Sequence, residues 1–135
     1  MILVRGNTNR GGKKFKMSSI LEDVKKDLNI SPDDDYFDPE IIMHTNTAFS
    51  ILTQLGVGPK AGFSISDDTA EWTDFIPEDA RLNIIKSYVP KKVKTLFDPP
   101  NTGPMAEALN KTISELEWRL NVIVDPELEE YDDED

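Results

Sequence analysis

The sequence predicts a mainly all-α protein: a four-helix bundle-like domain with a small β-hairpin or projecting loop between helices 2 and 3. Three observations predict it. Four segments carry apolar residues at three- and four-residue spacing, the period of a buried helix face. Proline, glycine or aspartate clusters bound these segments, and those residues start and stop helices. One stretch between the second and third segments alternates apolar with polar instead, the period of a strand.

The first helix is predicted to begin after Ser19 and run to about Leu28. Ser19-Ile20-Leu21-Glu22 is a capping box, in which the hydroxyl accepts from a first-turn amide and the carboxylate reaches back to the serine amide. Ile20, Val24 and Leu28 then recur every fourth residue. Ser31-Pro32-Asp33-Asp34-Asp35 breaks the segment. Its aspartates lack the alternation and the glycine of a calcium loop, so it reads as a solvated turn.

Asp38-Pro39-Glu40 starts the second helix. Aspartate caps, proline suits the first position where its missing N–H does no harm, and glutamate complements the dipole. The helix runs to Leu55 and stops at Gly56. Ile41, Thr45, Ala48, Leu52 and Leu55 form its inward stripe, widened by Ile42 and Phe49. The reverse side carries Met43, Thr47, Ser50 and Gln54, small or uncharged where a solvent face would carry charges. These four are assigned to a contact surface. His44 sits at the margin with only Glu40 in helical reach, and reads as a core-edge histidine rather than a ligand.

Gly56-Val57-Gly58-Pro59 and Ala61-Gly62 reverse the chain. A phosphate-cradling loop would need a preceding strand and a following Lys-Ser or Lys-Thr pair, and neither is evident. Phe63-Ser64-Ile65-Ser66 and Ala70-Glu71-Trp72-Thr73 alternate around Asp67-Asp68-Thr69, which predicts the hairpin or irregular loop. A lone hairpin is marginal in water, so Phe63, Ile65 and Trp72 lean on the helices or on a partner. They are counted among the interface candidates.

The third helix begins near Pro77-Glu78-Asp79 and ends before Asp98-Pro99-Pro100, with Leu82, Ile85, Val89, Val93 and Leu96 inward. Pro90 within it removes a ladder bond at a cost of roughly 3 kcal/mol, which predicts a kink or a break into two helices. Lys86, Lys91, Lys92 and Lys94 scatter around the helix and form no stripe for DNA. After Asn101-Thr102-Gly103-Pro104 the fourth helix runs from about Met105 to Val122. Leu109, Ile113, Leu116 and Leu120 fall in one narrow stripe, and Trp118 lies half a turn away from it. An exposed tryptophan fits an interface better than solvent, so Trp118 and its neighbour Arg119 join the candidates. The competing reading packs Trp118 under the hairpin or tail.

Charge divides the 135 residues into three parts. Residues 1–16 carry Arg5, Arg10, Lys13, Lys14 and Lys16 and no acid. With only Phe15 to stack on a base, this segment reads as a disordered basic leader rather than an arm for DNA or a membrane surface. Met17, followed directly by a helix cap, is a candidate natural start. Residues 125–135 carry eight acids and no base and are expected to be a disordered acidic tail. The helical domain, 17–124, keeps 10 bases and 18 acids. A net charge of −11 argues against a protein that grips nucleic acid by neutralising phosphates. The absence of cysteine excludes a disulfide scaffold, a thiolate zinc site and a cysteine nucleophile. With a single histidine, no nucleophile–base pair or metal constellation can be assembled. No catalytic, metal or cofactor residues are therefore assigned, and an enzyme is not expected. No apolar run approaches the roughly 18–20 residues of a membrane span.

Several runs together carry a family resemblance. Phe37-Asp38-Pro39-Glu40-Ile41-Ile42, Thr53-Gln54-Leu55-Gly56-Val57-Gly58 and Trp72-Thr73-Asp74-Phe75-Ile76-Pro77 are followed by Leu96-Phe97-Asp98-Pro99-Pro100 and Ile113-Ser114-Glu115-Leu116-Glu117-Trp118-Arg119-Leu120-Asn121. In this order and spacing, over roughly residues 17–122, the sequence resembles the head–tail connector (adaptor) proteins of long-tailed bacteriophages. Some of these carry a DNA-packaging label. The resemblance implies a helical subunit that joins a ring of about twelve copies below the portal protein at the phage neck. A tail-side stopper or head-completion protein would be its other neighbour, with DNA passing through the channel without tight binding. It further implies a virion location after a stage in the host cytoplasm, in an active phage or a prophage. Pro90 departs from the uninterrupted third helix expected of that family. The alternative from a different class is a small acidic regulatory or packaging factor, acting as a DNA mimic on a phage or host partner.

Overall fold

The computed structural model describes residues 5–10, 12–13 and 19–124, with side chains for residues 19–122. Part of the basic leader and the whole acidic tail expected from the sequence lie outside the described residues. Near the start, β1 (Arg5–Arg10) pairs antiparallel with β2 (Gly12–Lys13), Asn9 opposite Lys13. Residues 19–124 are built on four helices: α1 (Ile20–Asp27), α2 (Asp38–Gln54), α3 (Ala80–Phe97) and α4 (Gly103–Val124). The mainly all-α expectation holds.

Local chemistry sets the helix limits. Ser19 Oγ accepts from the Glu22 N–H at 3.3 Å and opens α1. Asn29, at φ 63°, closes it: its N–H reaches Lys26 O at 3.0 Å and the Ile30 N–H reaches Lys25 O at 2.8 Å. This paired closure is the Schellman motif. α2 ends the same way. Gly56, at φ 88°, donates to Thr53 O at 3.0 Å, and Val57 donates to Leu52 O at 2.9 Å. Val57 and Leu52 are both fully buried, the apolar contact that accompanies this cap.

The start of α2 differs from expectation. Asp38 is already helical, Phe37 occupies the capping position, and no side chain caps the end. The Asp38 carboxylate turns instead to Lys25 Nζ at 2.8 Å. Lys25 is only 2% exposed and also donates to Pro32 O at 3.2 Å. A buried ammonium needs such partners, and it takes one from the α1–α2 turn and one from the first residue of α2. That turn is therefore tied to α1, while Asp33, Asp34 and Asp35 face solvent.

α3 forms the middle of the domain, packing on α2, α4 and α1. Its cap is Asp79, which accepts from the Arg81 N–H at 2.9 Å, so Pro77 and Glu78 precede the helix. Of the kink or break predicted at Pro90, the break does not occur, and α3 is continuous from Ala80 to Phe97. Pro90 is itself buried, and the helix that contains it packs on three neighbouring helices. The cost is a Lys86 carbonyl without its ladder donor. Leu82, Ile85, Val89 and Val93 point inward as expected, but Leu96 does not. Leu96 is 41% exposed, and Phe97 turns inward beside Phe37, with ring centroids 5.4 Å apart. α4 buries Ile113 and Leu120, with Leu109 and Leu116 packed at the core margin. The Tyr88 hydroxyl donates to Glu117 Oε2 at 2.8 Å and ties α3 to α4.

No hairpin forms between α2 and α3. The Asn46 side chain, projecting from α2, satisfies both backbone groups of Ile65: it accepts from the Ile65 N–H at 2.8 Å and donates to Ile65 O at 3.0 Å. A side chain thus takes the part of a strand partner. The second half pairs elsewhere, with Ala70 O accepting from the Ile20 N–H at 2.9 Å. Trp72–Asp74 then makes one 3-10 turn, in which the Glu71 N–H donates to Asp74 Oδ2 at 2.8 Å. Nor does the segment project as a whole, because Ile65, Trp72, Phe75 and Ile76 are all buried.

Candidate functional site

Two of the contact residues assigned from sequence are internal. Trp72 is fully buried, its indole N–H donates to Asp23 Oδ2 at 2.7 Å, and its ring lies 6.3 Å from that of Phe49. Ile65 is buried beside α2. Both lean on the helices, so neither offers surface to a partner, which corrects their interface assignment. Phe63 is half-buried, its ring 4.9 Å from Phe49 and 5.2 Å from Phe75. It belongs to the margin of the same aromatic group.

The remaining candidates are exposed and fall on two flanks. On α2, Met43 is 56% exposed, and Thr47, Ser50 and Gln54 follow it along the same stripe at helical spacing. Tyr36 and Glu40 extend the stripe towards the α1–α2 turn, and Tyr36 is 80% exposed. The Thr47 hydroxyl donates to Met43 O at 3.1 Å, so its hydrogen-bonding need is met within the helix. On α4, Trp118 is 67% exposed, with Lys111, Glu115 and Val122 on the same side and Arg119 beside it. It is not packed under the α2–α3 segment. α2 and α4 each pack extensively on α3. Their outer stripes lie away from those buried faces, so the domain carries two separate exposed flanks on two different helices.

An aromatic corner escaped the sequence reading. Tyr36 and Phe37 meet edge-on at 4.9 Å, Phe37 meets Phe97 at 5.4 Å, and His44 stands 6.4 Å from Phe97. The corner joins the start of α2 to the end of α3. Its signal in the sequence is the repeated Phe-Asp-Pro at 37–39 and 97–99. His44 lies at the core edge, 16% exposed and 3.9 Å from Glu40. Lys25 also escaped, since an isolated lysine on a helix reads as surface.

Electrostatically the domain is acidic on this side. A groove of ≈ 730 Å³ opens between the α1–α2 turn and the α2–α3 segment, with Asp33, Asp35, Asp67 and Asp68 around a floor that includes Leu21 and Ile42. The Thr69 hydroxyl and N–H, at 2.6 and 3.0 Å, hold the Asp67 carboxyl below the usual carboxylate range. Burial, reinforced by the Glu117 carboxylate, pushes the Tyr88 phenol well above its ordinary value. Among the described residues no group of three or more His, Cys, Asp or Glu is placed to hold a metal ion, and no helix is long and apolar enough to cross a membrane. What the arrangement offers is apolar contact area on two flanks of an acidic body.

A search of curated proteins and a search of solved structures each return no match. A family model described as phage connector protein does match, over residues 20–127, from the first residue of α1 to just beyond α4. By that match the chain belongs to the phage connector proteins, a structural family of the head–tail junction.

Proposed function

We propose that copies of this chain form a ring at the phage neck, docking on the portal protein on the head side and on a stopper or head-completion protein on the tail side. The number of copies is twelve by family resemblance. The observation that carries this reading is the pair of exposed flanks on α2 and α4. The chain completes its own core, yet leaves Trp118 on α4 and Met43 and Tyr36 at α2 in solvent. Large apolar side chains so exposed mark association surfaces. The role is structural, and DNA is cargo in transit. A net charge of −11 suits a channel that repels phosphate and lets the duplex slide.

Electron microscopy of the purified protein mixed with purified portal tests the reading. The expected result is a portal particle with an added ring of density on one face. Portal left unchanged at saturating protein overturns it. A DNA mimic would instead displace duplex from a basic partner, with a steep dependence on salt.

A further inference from the structure

Resting on the ring reading above, we infer that neighbouring copies mate head to tail, with the α2 flank of one copy (Tyr36, Glu40, Met43) seated on the α4 flank of the next (Lys111, Trp118, Arg119). A closed ring needs two different patches on each subunit, because a patch that binds itself closes at a dimer. The layer order supplies the two patches. α3 is shared between α2 and α4, and each of these two helices keeps an exposed stripe of its own.

Charge selects the pairing. The α2 stripe and the turn before it expose Asp34, Asp35 and Glu40 and no base. Along the Trp118 side of α4 the exposed charges are mixed, Glu107, Lys111 and Glu115, with Arg119 at the edge. Seating α2 on a second α2 would set Glu40 and the aspartates against their own copies. An α4–α4 contact carries both signs, but as a patch that binds itself it closes at a dimer. Like charge thus disfavours α2 on α2, and the α2–α4 contact gives its acids Lys111 and Arg119 as partners. The apolar chemistry agrees. The flexible Met43 thioether packs well against an indole, and Tyr36 supplies a large, rigid ring with a polar tip suited to the rim of an interface.

The chain contains no cysteine, so introduced thiols report contacts without background. Thr47→Cys and Glu115→Cys each lie one helical turn from an anchor and leave Met43 and Trp118 intact. Both positions are exposed, and unchanged far-UV circular dichroism checks the fold. Rings assembled on portal and treated with a flexible bis-maleimide are expected to give cross-linked pairs when the two single variants are mixed. The double variant is expected to give a ladder up to the full ring, while each single variant alone stays uncross-linked. Glu40→Arg is expected to raise the concentration needed for assembly by about tenfold, and adding Arg119→Glu to restore it. Rings visible on portal without the ladder overturn this pairing and leave the ring reading standing, as does cross-linking of either single variant to itself. Absence of any ring with the wild-type chain removes both.

Discussion

Replacing Gly58 by alanine is expected to destabilise the domain more than any other single-methyl change in the α2–α3 connection. Gly58 adopts φ +85°, and a Cβ built there would lie 2.3 Å from Phe75 Cε1 and 2.7 Å from Cζ. Phe75 cannot swing away cheaply. It is 3% exposed, and its ring is held 4.7 Å from Phe49 and 5.2 Å from Phe63. Two costs therefore add. The left-handed backbone costs alanine about 1–2 kcal/mol, and forcing a methyl into a packed core costs about 1–3 kcal/mol. The total, about 2–5 kcal/mol, is a large share of the roughly 5–15 kcal/mol that holds a typical domain together. Gly62 is the control: its φ is +97°, but nothing lies within 4 Å of its Cβ position. Gly62→Ala should lose the backbone cost alone. Urea unfolding followed by far-UV circular dichroism measures both, and Phe75→Leu combined with Gly58→Ala should recover part of the clash but none of the backbone cost. Equal losses at positions 58 and 62, or a Gly58→Ala variant within about 0.5 kcal/mol of wild type, would refute the packing of Phe75 on this turn.

The two tryptophans should separate stability from assembly. Trp72→Phe loses the 2.7 Å bond to Asp23 and is expected to cost about 2 kcal/mol in urea unfolding. Trp118→Ala should stay within about 0.5 kcal/mol of wild type yet fail to add to portal in sedimentation. Thr45 is fully buried and, among the described residues, its hydroxyl has no hydrogen-bond partner. Thr45→Val is therefore expected to stabilise by about 1 kcal/mol, and a fall in urea midpoint would contradict that environment. Tyr88 gives a pH prediction. Its folded phenol is held above the ordinary value, so its contribution is complete below about pH 10, where the unfolded tyrosine begins to ionise, and declines as pH rises further. Unfolding measured from pH 8 upward should show the wild type losing stability faster than Tyr88→Phe above that point, and parallel curves would exclude the linkage.

Taken alone, the sequence determined whatever depends on neighbours within about one helical turn. Ser19 and Glu22 set the start of α1, and Gly56, with no Cβ to oppose a positive φ, set the end of α2. The recurrence of apolar residues on α2 and α4 set which sides face inward, and with that left Met43 and Trp118 outside. The tertiary structure decided every case in which the partner is far away in the chain. Trp72 reads as a surface anchor until Asp23, 49 residues earlier, meets its N–H. Lys25 reads as solvated until Asp38 and Pro32 reach it. Asn46 removed the need for a hairpin, and α3, packed on α1, α2 and α4, stayed whole across Pro90. Phe97 displaced Leu96 from the inward stripe because Phe37 offers it an aromatic edge. Helix propensity and capping are fixed by groups that the backbone already holds close. The burial of a charge, an indole N–H or a proline depends on which distant group packing brings within about 3 Å, and one chain's local pattern carries no record of that encounter.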